Sequence, residues 1–139
     1  MAKLLVVDDE ANIRTLIKKY AQYEGYEIIE AVNGIDAVAK CRAEDFDLIV
    51  MDVMMPEMNG LEATRAIRVF EHCPPESGIP IIAMTANVFA DDVKACPEAG
   101  MNSHVGKPLD MQVLAAEICR QVRRYTALLE SADFTKLGN

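Results

Sequence analysis

The chain has 139 residues, 51% of them hydrophobic and 26% charged, with a net charge of −8, a size at which one domain buries its own core. Its apolar runs fall far short of the roughly 20 residues that a membrane helix needs, and its acidity disfavours a nucleic-acid surface, which needs basic groups to replace phosphate counterions. The scattered Cys41, Cys73, Cys96 and Cys119 offer neither a close-spaced zinc motif nor a disulfide framework, and the opening MAKLLVVDDE enters a strand-like run without an export signal, so a cytoplasmic protein is expected.

In chain order, the first run, KLLVVD, is apolar on consecutive residues, the mark of a strand covered on both faces of a parallel sheet. A helix follows with Ile13, Leu16, Ile17 and Tyr20 as its apolar stripe, ending near Gly25. YEIIEA is the second strand. The second helix is capped by Asn33 with Asp36 three residues on, and Ile35 and Val38 are expected to face inward. DLIVMD is the third strand, and Asn59 with Glu62 has the spacing of a capping box opening a third helix that carries Leu61, Thr64 and Ile67. EHCPPESGIP cannot continue that helix and reads as an exposed connection.

IPIIAMT is the fourth strand. A fourth helix, roughly Asn87 to Glu98, has a weak pattern and contains Pro97. SHVGKP is the fifth strand, and a last helix from Asp110 carries Met111, Leu114, Ile118, Val122, Tyr125 and Leu129 at three- and four-residue steps. The closing SADFTKLGN reads as frayed. The alternation predicts an α/β fold with a parallel sheet and helices on both faces.

Ligands of such sheets collect at the carboxyl ends of the strands. The first strand ends in Asp8 and Asp9, the third in Asp52, the fourth in Thr85, and the fifth in Lys107 followed by Pro108, which restricts the lysine to extended geometry. A cis bond there would aim the ammonium inward. Three converging carboxylates repel unless a cation joins them, and their oxygen-only chemistry favours Mg²⁺ over zinc, with Mn²⁺ as a substitute. Carboxylate, metal, hydroxyl and ammonium are together the parts of phosphoryl transfer. Asp52 is the expected nucleophile, becoming an acyl phosphate. Mg²⁺ and Lys107 neutralise phosphoryl oxygens, Thr85 donates a hydrogen bond, and the backbone carbonyl of Met54 completes the metal shell. Met51, Met54, Met55 and Met58 read as packing and rim, and Gly60 as turn chemistry.

VVDDE, MDVMMPEMNG, IIAMTAN and GKP, in this order and at these spacings, resemble the receiver domain of two-component response regulators over roughly residues 2 to 124. The resemblance implies a flavodoxin-like five-stranded sheet in the order 2-1-3-4-5. It divides the chain into a receiver at 1–124 and a helical extension with a frayed tail at 125–139. It also implies a histidine kinase or histidine phosphotransfer domain as phosphoryl donor. The wording MNGLEATRAIR, IPIIAMTAN and AGMN is most similar to receivers attached to hybrid sensor kinases. The implied role is a signalling phosphoacceptor in a phosphorelay, not an enzyme with turnover, although it assists its own phosphorylation and slow dephosphorylation. The output is a change in protein binding, toward a downstream protein or a dimer partner, with no direct nucleic-acid or membrane contact.

Three residues before the lysine, where the family commonly has a tyrosine or phenylalanine that turns inward on activation, this chain has His104. Thr85 and His104 are therefore the expected switch positions, with a pH-sensitive inward state. Met54 and Asn87, the residues expected to flank the phosphoryl group, are neither acids nor bases, which predicts a phosphorylated lifetime longer than seconds. The alternative, a phosphohydrolase with an aspartyl nucleophile, lacks an acid two residues after Asp52 to protonate a leaving group.

Overall fold

Five parallel strands form one sheet in the order β2-β1-β3-β4-β5, with β1 at Lys3–Val7, β2 at Glu27–Ala31, β3 at Leu48–Asp52, β4 at Ile81–Thr85 and β5 at Ser103–Gly106. Between and after them run α1 (Ala11–Tyr23), α2 (Gly34–Ala43), α3 (Gly60–Glu71), α4 (Ala90–Ala99) and α5 (Met111–Leu137). The computed structural model describes residues 2–86 and 90–137, with side chains in full except at 90–92 and 132–137.

Successive strand residues point to opposite faces, so a consecutively apolar strand feeds two cores. On one side Leu5, Val7, Ile49, Met51 and Ile81 pack with Ala37 and Cys41 of α2, Ala63 and Ile67 of α3 and Cys96 of α4. On the other, Leu4, Val6, Val50 and Ile82 pack with Ile17 and Ala21 of α1 and with Leu114 and Ile118 of α5. Register places Val7 beside both Ala31 and Met51, and Asp52 beside Met84, which brings the polar residues that follow β1 and end β3 to one edge.

The helix starts follow their local chemistry. Asn33 accepts a hydrogen bond from the Asp36 amide at 2.8 Å, and at α3 the Asn59 and Glu62 side chains each accept from the other's backbone amide, at 2.9 and 3.3 Å. Helix α1 gives way at Glu24, and Gly25 follows in the left-handed region.

Three expectations are corrected. Leu16 is 45% exposed and Ile35 52% exposed. Helix α1 packs through Ile17 and Ala21, and α2 through the small Ala37 and Cys41, whose size lets the helix approach the sheet; Leu16 and Ile35 fall off those stripes at 3.6 residues per turn. The expected start of α4 at Asn87 lies outside the described residues, within which the helix is Ala90–Ala99. The tail expected to fray continues α5 to Leu137; no glycine or proline interrupts Thr126 to Leu137, and the first breaker is Gly138. Among the described residues no helix is long and apolar enough to cross a membrane.

Candidate functional site

The carboxyl ends of β1, β3, β4 and β5 gather the candidate residues. Asp8, immediately after β1, is fully buried, while Asp9 is exposed. The local chain holds Asp8 in place: its Oδ1 accepts from the Glu10 amide at 2.9 Å, and Arg14, one turn into α1, donates to its carbonyl at 2.8 Å. Arg14 also reaches Glu30 of β2 at 3.2 Å, so the first turn of α1 is tied to both strands. Neither support was read from the sequence, although Arg14 four residues after Glu10 was visible there.

Asp52 closes β3 and is 4% exposed. Asp8, Asp9 and Asp52 each offer a carboxylate oxygen, and these oxygens lie within 4.8 Å of one another. Lys107, directly after β5, is half-buried; its Nζ lies 2.9 Å from Asp8 Oδ2 and 3.4 Å from Asp52 Oδ2. The Lys107–Pro108 peptide is cis, and the Lys107 amide donates to the Thr85 carbonyl at 2.7 Å.

Burial first, and the neighbouring charge of Asp8 second, push the Asp52 carboxyl up to about 6, against the opposing pull of Lys107. For Lys107, burial works against the charge, but its bonds and attraction to Asp8 and Asp52 outweigh it and raise its pKa. One ammonium thus meets two of the three carboxylates. The excess negative charge and the oxygen-only donor set suit a small hard cation such as Mg²⁺, and this chemistry fits the residues present.

Thr85 ends β4 and is buried, and among the described residues its Oγ1 has no hydrogen-bond partner. A buried hydroxyl without a partner costs free energy unless a ligand supplies one. Met54 turns its side chain outward, 70% exposed, while its amide lies 3.4 Å from Asp52 Oδ1. Met51 and Met55 are core, and Met58 packs against it. His104, in register with Ala83, is exposed and borders a cavity of about 170 Å³ lined also by Val93, Cys96 and Pro97. Asn87 lies outside the described residues.

Gly60 does more than turn the chain. A Cβ there would lie 2.2 Å from the Asp52 carbonyl oxygen, and its amide donates to the Val53 carbonyl at 3.0 Å. Gly60 stands eight residues after Asp52 in the sequence, but the close approach is a tertiary contact that this spacing does not encode.

The sequence profile described as the response regulator receiver domain matches residues 4–119. The chain belongs to this family. Among curated relatives, the receiver domain is 36% identical over 120 residues to the CAI-1 autoinducer sensor kinase/phosphatase CqsS of Vibrio cholerae, covering 86% of this chain and 17% of that protein. It is 34% identical to the sensor protein GacS of Pseudomonas syringae pv. syringae, over 85% of this chain and 13% of that protein. The transcriptional regulatory protein ResD of Bacillus subtilis is 38% identical, over 99% of this chain and 52% of its own length. The chain therefore spans about half, or much less, of these relatives.

Among solved structures, the chemotaxis protein CheY4 of Vibrio cholerae matches at a TM-score of 0.79 and 32% identity, covering 86% of this chain and 98% of that one. The receiver domain of sensor histidine kinase PA1611 from Pseudomonas aeruginosa, solved with a magnesium ion coordinated in its active site cleft, matches at a TM-score of 0.78 and 33% identity, over 87% and 97% of the two chains. The order 2-1-3-4-5 and the two-component assignment expected from the motifs both hold. Phosphoryl acceptance on an aspartate is the standard role of this receiver family.

Proposed function

We propose that Asp52 accepts a phosphoryl group from the phosphohistidine of a histidine kinase or a histidine phosphotransfer domain. The observation that carries this reading is the convergence at one sheet edge of two buried carboxylates, an exposed one, the Lys107 ammonium and the Thr85 hydroxyl, which has no partner among the described residues. An Asp52 oxygen attacks phosphorus, the P–N bond breaks as the P–O bond forms, and the departing imidazole keeps the electron pair and takes up a proton. Lys107 then sits against the new phosphoryl oxygens, and Thr85 Oγ1 donates the hydrogen bond it does not otherwise make.

Asp8, Asp9, Asp52 and the backbone carbonyl of Met54 are the residues we assign to Mg²⁺, with Mn²⁺ as a substitute. Bound there, the ion supplies charge neutralisation for the phosphoryl oxygens. The raised carboxyl of Asp52 supports this, since a cation offsets the burial and, after it, the repulsion from Asp8 that lift it.

The domain acts by changing protein contacts, in the cytoplasm, toward a downstream protein or a dimer partner. It assists its own phosphorylation and loses the phosphoryl group slowly, because Met54 presents no acid or base. Thr85 and His104 form the switch. The phosphohydrolase alternative has little to support it for the same reason, and turnover of a chromogenic phosphate ester discriminates the two. Incubation with a phosphohistidine-bearing domain tests the main reading: the label moves to this chain, and moves back when unlabelled donor is added in excess. A label that leaves the donor only as free phosphate would contradict it.

A further inference from the structure

At the edge of the sheet opposite Asp52, the C-terminal ends of α2 and α3 and the passing α5 enclose a cavity of about 320 Å³. Cys41, Ile67 and Ile79 supply apolar lining, Phe70 a half-exposed ring, and Tyr125 of α5 a further wall. The wall is held in place, because the adjacent Arg124 donates to the Glu76 carbonyl at 2.9 Å. Beyond Tyr125, every residue from Thr126 to Ser131 is exposed. Leu128 and Leu129, three and four residues on, continue the face of Tyr125 at 37% and 45% exposure. A bare helical segment of this length is marginal by itself.

The rim is acidic. Glu71 is already committed, to Arg68 and to the Ile79 amide, both at 2.7 Å, and Glu44 pairs with Lys3. Among the described residues the exposed Asp45 lacks an ion pair, and the Asp47 side chain holds only the Lys3 backbone amide at 2.8 Å. Arg42 is drawn to the Phe70 ring, 5.9 Å from its centroid, rather than to these acids. Burial first, and then Glu71, Asp47, Cys73 and Asp45, raise the pKa of the Tyr125 hydroxyl, so the charges acting on this wall of the cavity are acidic.

We propose that this cavity, with the adjoining Leu128 and Leu129 face, docks a basic amphipathic segment of a partner protein, whose apolar side chain enters beside Phe70 and Tyr125 and whose lysine or arginine meets Asp45 and Asp47. The charge of the surface selects the occupant, since an acidic or neutral segment would forgo the attraction that orients it. Because the surface lies across the sheet from Asp52, the partner remains docked while the phosphoryl pocket stays open to its donor. This inference stands apart from the reading of Asp52: one is scored at the base of the sheet, the other by a phosphoryl adduct.

The test is an amide chemical-shift titration of the whole chain with a synthetic amphipathic helical peptide of leucine and lysine, beside the same peptide with glutamate for lysine. The expected result is shifts clustered at Cys41, Asp45, Phe70, Cys73, Tyr125 and Leu128, with affinity weakened about tenfold in Phe70→Ala and in Asp45→Lys. Both positions are solvent-exposed, so these variants keep the fold. Acetyl phosphate labelling proceeds at the same rate with the leucine–lysine peptide bound. Absent shifts, shifts centred elsewhere, equal binding of the glutamate peptide, affinity unchanged in both variants, or labelling blocked by the peptide would each overturn the proposal.

Discussion

A Cβ on Gly60 would stand 2.2 Å from the carbonyl oxygen of Asp52, so the first turn of α3 rests directly on the end of the strand that carries the proposed nucleophile. Backbone cannot yield as a flexible side chain does. Gly60→Ala must therefore push α3 away from β3, at a cost of about 2 kcal/mol or more, and displace Asp52. Urea unfolding of the variant is expected to show a lower midpoint with an unchanged slope.

Asp52 is costly to ionise without a cation. Its folded pKa of about 6, set by burial and then by Asp8, lies above the ordinary value of 3.8. The folded state therefore binds the proton more tightly, and this group's share of the stability is present below about pH 4 and lost as pH rises through 6. Asp52→Asn removes that loss. In metal-free buffer the variant is expected to gain little at pH 4 and up to about 3 kcal/mol at pH 7. Melting temperatures of both proteins across this range check it; a difference independent of pH would contradict it.

Mg²⁺ acts in the opposite direction on the native protein. A cation that binds only the folded state stabilises by mass action, about 2.7 kcal/mol at one hundred times its Kd. The native melting temperature is expected to rise with added Mg²⁺ at pH 7 and to return on chelation. Asp8→Asn, which removes one of the two buried carboxylates, reduces that rise.

The cysteines separate by environment. Burial, helped by Glu71, pushes the Cys41 thiol up to about 12, whereas Cys73 is exposed in the connection after α3. A thiolate is the reactive form. Under native conditions an alkylating reagent is expected to modify Cys73 quickly and Cys41 only on unfolding, as peptide mapping after a timed quench would reveal.

The strands and the polar edge were legible because each rests on a local signal, whereas the strand order came only from the resemblance carried by the motifs. Consecutive apolar residues marked LLVV and LIVM as doubly covered, and Asn33, Asn59 and Glu62 announced their helices. Leu16 and Ile35 misled because hydrophobicity alone does not say which side of a helix meets the sheet when Ala37 or Ala21 can make the closer contact. The continuation of α5 to Leu137 was missed because a position at the end of the chain was read as fraying, although no glycine or proline lies between Thr126 and Gly138. The supports of the site were less legible than its reactive groups. Arg14 on the Asp8 carbonyl and Gly60 against Asp52 are contacts between segments, and no spacing rule within one segment encodes them.

Intact-mass spectrometry after incubation with a small phosphodonor and Mg²⁺ tests the central claim most directly. The native chain is expected to gain one phosphoryl group, acid-stable and lost in alkali or hydroxylamine as an acyl phosphate should be, while Asp52→Asn gains none and chelation of the metal suppresses the adduct in the native chain. An adduct of equal yield in Asp52→Asn, or none in the native chain with Mg²⁺ present, would contradict the assignment of Asp52 as the phosphoacceptor.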